Sequence, residues 1–116
     1  MIYMVEGIIE FSEWSKIDLR VGKILSVEDI DGADKLYKLD VDIGDDSPRT
    51  LVAGIKSYYE KTELQDKYCV IFTNLKPRTM KGIESHGMLL AAVNDDESKV
   101  VLIQPSKEMP LGSKVR

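Results

Sequence analysis

The chain has 116 residues and 43% hydrophobic residues, which suits one domain with its own core, and its single cysteine excludes a secreted disulfide scaffold. Its net charge of −4 argues, taken alone, against a nucleic-acid binder. No run approaches the roughly 18 apolar residues of a membrane span, and the first residues lack the basic region of a signal peptide, so we expect a cytoplasmic protein.

Alternating apolar and polar residues, interrupted by turn residues, predict a chain made mainly of short strands. The strands are expected at residues 19–27, 36–43, 49–53, 67–74, 87–93 and 99–103. Gly22 inside the first strand predicts a bend or bulge. Residues 1–10 are an N-terminal extension that could supply an extra strand or a dimer contact, and Ser12 is expected to cap a short helical turn.

One sizeable helical signal lies between the third and fourth strands. Residues 62–65 match a capping box in which Thr62 is the N-cap and Gln65 the third helical residue. Short strands with a helix at that point predict an all-β domain over residues 11–116. The order fits a five-stranded oligonucleotide-binding (OB) barrel with strands appended at its C-terminal end. Periodicity alone leaves other small barrels open.

The residues offer no catalytic or metal-binding pattern. His86 is the one histidine, and the Ser85-His86 pair matches a nucleophile elbow at only one of its two glycines. One histidine and Cys69 cannot build a structural zinc site, and Cys69 lies in an apolar run that predicts a buried, unreactive thiol. The acidic turn at residues 29–34 lacks the calcium-loop pattern. We therefore expect no enzyme activity, metal or cofactor.

The segment after the fourth strand is the one net-positive part of the chain. Residues 74–87 carry three cations against one acid, whereas residues 1–73 carry nine cations against fifteen acids. We expect residues 75–86 to form a polar, basic loop at the rim of the barrel. Cations neutralise phosphates, and amide or hydroxyl groups bind base edges, so the mixture favours nucleic-acid binding; a merely solvated loop is the alternative.

Five stretches of the chain form a pattern in a defined order and spacing. They are residues 16–24, 33–37, 41–44, 74–78 and 82–92. Together they resemble the tRNA-binding domain found as a C-terminal appendage of methionyl-tRNA synthetases, as small stand-alone tRNA-binding proteins, and in synthetase cofactors of eukaryotes. The resemblance implies an OB barrel that grips tRNA by shape, with little regard for its sequence.

In that family the loop between the fourth and fifth strands carries much of the binding. The resemblance implies phosphate contacts, hydrogen bonds to RNA, and apolar packing against a base or within the loop. The residues implied are Asn74, Lys76, Arg78, Lys81, Ser85, Met88 and, on a weaker match, Lys35. Thr79 departs from the pattern, because family members often carry another cation there.

The resemblance also implies partners. Stand-alone members are homodimers joined through the region after the barrel, here residues 100–116, and tRNA and methionyl-tRNA synthetase, assisted in trans, are the expected partners. Two alternatives remain. One is a chaperone-like, secretion-associated protein with the same barrel that binds peptides, and the other is an adaptor that docks onto a synthetase without an RNA role.

Overall fold

A computed structural model describes residues 7–116. This part of the chain is mainly β, with two helices of four residues each. The elements are α1 (Phe11–Trp14), β1 (Leu19–Ile30), β2 (Ala33–Asp42), β3 (Arg49–Ala53), α2 (Lys61–Leu64), β4 (Tyr68–Phe72), β5 (Arg78–Met80), β6 (Ile83–Ser85), β7 (Met88–Leu89), β8 (Ala91–Val93), β9 (Val100–Leu102) and β10 (Lys114–Val115). The all-β class with an OB-type barrel is confirmed.

The main sheet is antiparallel, in the order β3-β2-β1-β4-β7, with β10 added to β1. The long strand β1 organises it, because its second half pairs with β2 and its first half with β4. A register shift between Ile24 and Ser26 marks a bulge, which bends a strand and lets a sheet curl.

Gly22 does not form the predicted bulge. It pairs in regular register with Cys69, and a Cβ there would lie 2.9 Å from Val41 Cγ1. The missing side chain therefore makes room for the barrel core. The bulge itself lies three residues further on, at Leu25, which is 37% exposed.

The core fills the inside of the barrel. Its fully buried side chains are Ile24, Leu39, Val41, Leu51, Leu64, Cys69 and Ile71. Cys69 is buried as predicted, and burial raises the pKa of its thiol to about 12, so the unreactive thiol form is favoured at neutral pH. Leu64 is the buried residue of α2, so this short helix serves to close the core.

Both helices begin earlier than predicted. Glu10 caps α1 and Glu60 caps α2, each in a reciprocal capping box with the glutamate three residues later. The expected N-caps Ser12 and Thr62 lie inside the helices instead. In the extension, residues 7–10 are not in a strand, and residues 1–6 lie outside the described part of the chain.

The predicted fifth strand, residues 87–93, is divided into β7 and β8. At Leu90 the chain changes partner: the N–H donates to Val70 O at 3.0 Å, while the carbonyl accepts from Ile103 N at 2.9 Å. The following hairpin of β8 and β9 packs Leu102 into the core. The predicted turn at residues 94–98 joins these two strands.

Candidate nucleic-acid interface

The basic segment predicted as a loop contains a short hairpin. Strands β5 and β6 pair with Arg78 opposite Ser85 and Met80 opposite Ile83. Lys81 and Gly82 form the turn with φ of +51° and +78°, as tight hairpin turns of the I′ type require. The loop prediction for residues 75–86 was therefore wrong at the six residues of β5 and β6, and Lys81 lies in the turn between these strands.

The hairpin is docked on the outside of the barrel. Its apolar side chains Met80 and Ile83 pack against a second buried cluster, separate from the main core. That cluster consists of Ile30, Ala33 and Val52, with the half-buried Leu36. Packing of this kind restricts the hairpin far more than a solvated loop would be restricted. It also brings the β1–β2 turn, and with it Lys35 on β2, to the same region of the surface.

Asn74 fixes the chain where it leaves β4. Its Oδ1 accepts the Asp18 N–H at 2.9 Å, and its Nδ2 donates to Lys16 O at 2.6 Å. Both ends of the amide are therefore engaged with the segment before β1. The sequence suggested hydrogen bonds from Asn74 to RNA, whereas in this structure the side chain anchors the root of the basic segment.

Asp18 extends the same anchor. Its carboxylate accepts hydrogen bonds from the Thr73 hydroxyl and from Arg20 Nε, the latter at 2.9 Å. The Thr73 hydroxyl, and after it the Arg20 guanidinium, hold the pKa of Asp18 below its ordinary value. Arg20 also donates to Gly112 O at 3.1 Å, so the anchor joins β1, the end of β4 and the C-terminal turn.

Ser85 is 3% exposed, and its hydroxyl is bonded to the main chain on both its donor and its acceptor side. Its Oγ accepts the Val52 N–H at 3.0 Å and donates to Gly87 O at 3.2 Å. Nearby, the His86 N–H donates to Thr50 O at 2.9 Å. These bonds join the segment before β7 to β3, so Ser85 helps to close the barrel where the two edge strands of the sheet meet.

The three cations of the segment are exposed and unneutralised. The ion pairs within residues 7–116 do not include Lys76, Arg78 or Lys81. The one acid of the hairpin, Glu84, lies 3.1 Å from His86 Nε2. Three other lysines are in ion pairs: Lys38 with Glu28 at 3.7 Å, and Lys56 and Lys61 with Asp29 at 3.0 and 2.8 Å. Residues 74–87 thus combine a net positive charge with three exposed cations that have no ion-pair partner within the described residues.

An apolar groove of about 330 Å³ lies beside these cations, between the edge strands β3 and β7. We call it the seam groove. Its apolar lining includes Leu36, Ile55, Leu75, Met80, Met88, Leu89 and Leu102, and Lys76 and Arg78 also line it. Met88 is 46% exposed. Most of these apolar residues were missed from sequence because they come from separate strands. Leu36 could have been identified from sequence, because it is an apolar residue on the face of β2 opposite to the buried Tyr37, Leu39 and Val41.

No tyrosine within residues 7–116 lines this groove. Tyr37 is 4% exposed and donates to Tyr59 O at 2.8 Å, while the Tyr59 hydroxyl accepts the Leu102 N–H at 3.0 Å. Among residues 7–116 no three metal-ligating side chains are grouped, and no helix in that range has the length and apolar character to cross a membrane.

A family model described as "Putative tRNA binding domain" matches residues 19–114. The chain belongs to this tRNA-binding domain family. Methionine–tRNA ligase of Pyrococcus furiosus is 56% identical over 108 residues, which is 93% of this chain but 14% of that enzyme. The corresponding ligase of Nanoarchaeum equitans is 50% identical over 110 residues, 95% of this chain and 14% of the enzyme. The chain thus spans a small part of these enzymes.

Solved structures of the same size also match the tRNA-binding domain. The "MetRS related protein" of Pyrococcus horikoshii has a TM-score of 0.89 and 37% identity, covering 96% of this chain and all of that one. A CsaA chaperone protein from Picrophilus torridus has a TM-score of 0.83 and 33% identity, covering 94% of this chain and all of that one. The fold is therefore shared by proteins described in two different ways.

Proposed function

We propose that this tRNA-binding domain binds tRNA by its shape, largely without regard to sequence, through the cations of the β5–β6 hairpin and of the residues just before it. The observation that carries the proposal is the grouping of Lys76, Arg78 and Lys81, none with an ion-pair partner within residues 7–116, on a docked hairpin and the residues just before it. Phosphate contacts carry no sequence information, and rigidly placed cations lose little freedom on binding. A fixed arrangement of cations therefore recognises an RNA by the positions of its backbone phosphates.

Each predicted site residue receives a role in this proposal. Lys76, Arg78 and Lys81 contact phosphates, and Lys35, which is exposed on β2 next to Leu36 of the cluster under the hairpin, is a further cation. Met88 supplies exposed apolar surface in the seam groove. Asn74 and Ser85 are positioning residues, because their polar groups are engaged within the protein. The sequence implied direct RNA contacts for both.

The test is a fluorescence-anisotropy titration of labelled bulk tRNA at low and near-physiological salt, beside an RNA duplex of equal length. Three phosphate contacts predict a log–log salt slope of about −2 to −3 per subunit. We expect salt-sensitive binding that prefers tRNA. An absence of binding at low salt would reject the proposal, and equal binding of the duplex would reject recognition of tRNA shape.

The proposal includes a homodimer joined through residues 100–116. Support comes from apolar side chains exposed in that region: Val101 is 56% exposed, Ile103 42% and Met109 45%. Two linked sites raise effective concentration, which would offset weak binding by one site. Light scattering behind a sizing column should give a dimer mass at micromolar concentration. Ile103→Asp should give a monomer, whereas Met88→Glu, at an equally exposed apolar position of the groove, should remain a dimer.

We further propose a non-catalytic, cytoplasmic role in which the chain assists methionyl-tRNA synthetase in trans. The similarity to a segment of these enzymes supports it. Aminoacylation at limiting tRNA should rise when the chain is added, and this stimulation should be lost with Lys76→Ala. If that variant retained full stimulation and still co-purified with the synthetase, the chain would be an adaptor without an RNA role.

A peptide-binding chaperone function is the second candidate. The CsaA neighbour and the apolar floor of the seam groove favour it. Suppression of aggregation of a denatured client by the wild-type protein, without any tRNA binding, would establish this alternative.

A further inference from the structure

We infer that the seam groove holds one unstacked nucleotide of the bound RNA, with the base on the apolar floor and its phosphate between Lys76 and Arg78. The inference rests on the proposed function and adds a ligand subsite to it. It assigns the groove to RNA, whereas the hairpin cations alone would account for backbone contacts only.

The shape of the groove suits a small, flat, apolar-faced group. Its volume of about 330 Å³ lies at the lower end of small-molecule sites. One wall is β3 and the residue after it, Gly54, and the opposite wall is β7 with Met88. The seam between the two strands is closed by the bond from Val52 N–H to Ser85 Oγ, so the groove ends there. A base has two apolar faces, and two facing walls can contact both.

The positive charge beside the seam groove favours an anionic ligand over a neutral one. Lys76 and Arg78 line the groove together with its apolar floor and have no ion-pair partner within the described residues. A nucleotide fills both parts of this site, because its base is apolar-faced and its phosphate is anionic. An apolar peptide side chain would use the floor alone and leave two cations without a partner.

The near absence of polar side chains on the floor of the groove predicts that the four bases bind equally well. Apart from the two cations, Ser85 is the one polar side chain among the residues that line the groove. Its single hydroxyl hydrogen is donated to Gly87, one lone pair accepts from Val52, and the residue is 3% exposed, so it has no donor to offer a base edge and little surface to contact one. Base discrimination requires such hydrogen bonds. The subsite therefore binds a nucleotide without reading it, which agrees with recognition independent of sequence.

Gly54 allows the groove to be filled with little effect on the fold. It is exposed, its φ lies outside the left-handed region, and an added Cβ would meet only Leu36 Cδ2 at 3.7 Å, an ordinary contact. Gly54→Val thus places a branched side chain in the groove and leaves Lys76 and Arg78 in place. Ala92→Val is the matched control, since Ala92 is exposed on β8 and does not line the groove.

The experiment compares wild-type, Gly54→Val and Ala92→Val proteins in titrations of bulk tRNA and of a fully paired, blunt RNA duplex. We expect Gly54→Val to weaken tRNA binding by about tenfold with an unchanged salt slope, because base contacts are lost while phosphate contacts remain. Duplex binding should not change in either variant. Single-stranded oligo(A), oligo(C) and oligo(U) should each lose affinity by a similar factor in Gly54→Val.

Three results would overturn the inference. Equal tRNA affinity of Gly54→Val and Ala92→Val would show that the groove is not used, and the proposed function would survive if wild-type protein still binds tRNA. Loss for one homopolymer alone would show a base-reading site. Lost suppression of client aggregation with unchanged tRNA affinity would assign the groove to peptide. If Gly54→Val does not fold, Met88→Ala tests the opposite wall, with a several-fold loss of tRNA affinity expected.

Discussion

The hydroxyl of Ser85 accepts the Val52 N–H in the place where the backbone carbonyl of a neighbouring strand would otherwise accept it. Val52 lies on the edge strand β3, and its N–H donates to Ser85 Oγ at 3.0 Å instead of to a backbone carbonyl. A side chain thus closes part of the barrel that the main sheet leaves open. Because the same residue lies at the end of the β5–β6 hairpin, closure of the barrel and placement of the cations share one hydrogen bond.

Replacement of Ser85 by alanine should therefore destabilise the fold. Both residues are buried, with 7% and 3% exposure, so the Val52 N–H would lose its partner at a position with little access to water. An unsatisfied buried donor costs about 1–3 kcal/mol. The free energy of unfolding in urea should fall by that amount for Ser85→Ala. It should change little for Ser57→Ala, an exposed serine whose hydroxyl makes no hydrogen bond within the described residues. Equal stability of the two variants would contradict the closing role.

Local patterns predicted the strands well, because alternation depends only on neighbouring residues. Residues 49–53 were predicted with the bounds that β3 has. Four other predicted strands differ from the structure at their ends, the fifth is divided into β7 and β8, and β10 was not predicted. The β5–β6 hairpin was missed because its strands have three residues each and carry mostly polar side chains. The Glu60 cap was missed because the pattern at Thr62 matched the commoner hydroxyl cap.

The sequence predicted part of the site and missed the contacts between residues that are far apart along the chain. The sequence identified a basic segment and its three cations, which the structure places together on the hairpin and its root. The roles of Asn74 and Ser85 depend on partners 56 and 33 residues away, which no local pattern reveals. Burial decides whether a hydroxyl faces RNA or the barrel, and burial is a property of the folded chain.

Single cation replacements should lower the salt dependence of tRNA binding. Lys76→Ala and Arg78→Ala each remove one phosphate contact in the proposed complex, so the log–log slope should fall in magnitude by about one unit per variant. Affinity for all tRNAs should fall alike. Lys99→Ala is the matched control, because Lys99 is exposed at the β8–β9 turn, where its N–H is bonded to Asn94, and does not line the seam groove. If Lys99→Ala changed the slope as much, net charge and not the hairpin would govern binding.

The anchoring role of Asn74 predicts non-additive effects on binding. If Asn74 acts by placing Lys76, then Asn74→Ala should cost little once Lys76 is already alanine. A double-mutant cycle on tRNA affinity should show a coupling of at least about 0.5 kcal/mol. Direct contact of Asn74 with RNA would instead give additive losses. Asn94→Ala is the control: its amide bridges Ser98 and Lys99 in the β8–β9 turn, so its loss should not couple to Lys76.

The Asp18 anchor predicts a loss of stability in acid. Its folded-state pKa is lowered from the ordinary value of 3.8, chiefly by the Thr73 hydroxyl and then by Arg20. A carboxyl group whose pKa is lower in the folded state stabilises the fold above its unfolded pKa, and this contribution is lost as the pH falls through the folded value. We therefore expect wild-type protein to exceed Asp18→Asn in stability by about 1–2 kcal/mol above about pH 5, with the difference shrinking below pH 3.8.

The pH dependence of stability also distinguishes the contribution of Thr73 to the lowered pKa of Asp18 from that of Arg20. Thr73→Val removes the larger one, so the pKa of Asp18 should rise in that variant and the acid-induced loss should begin at higher pH. Asp34→Asn controls for charge, because Asp34 is exposed and its carboxylate makes neither a hydrogen bond nor an ion pair within the described residues. A constant stability difference between wild type and Asp18→Asn down to pH 2 would show that the ionised carboxylate does not maintain the anchor.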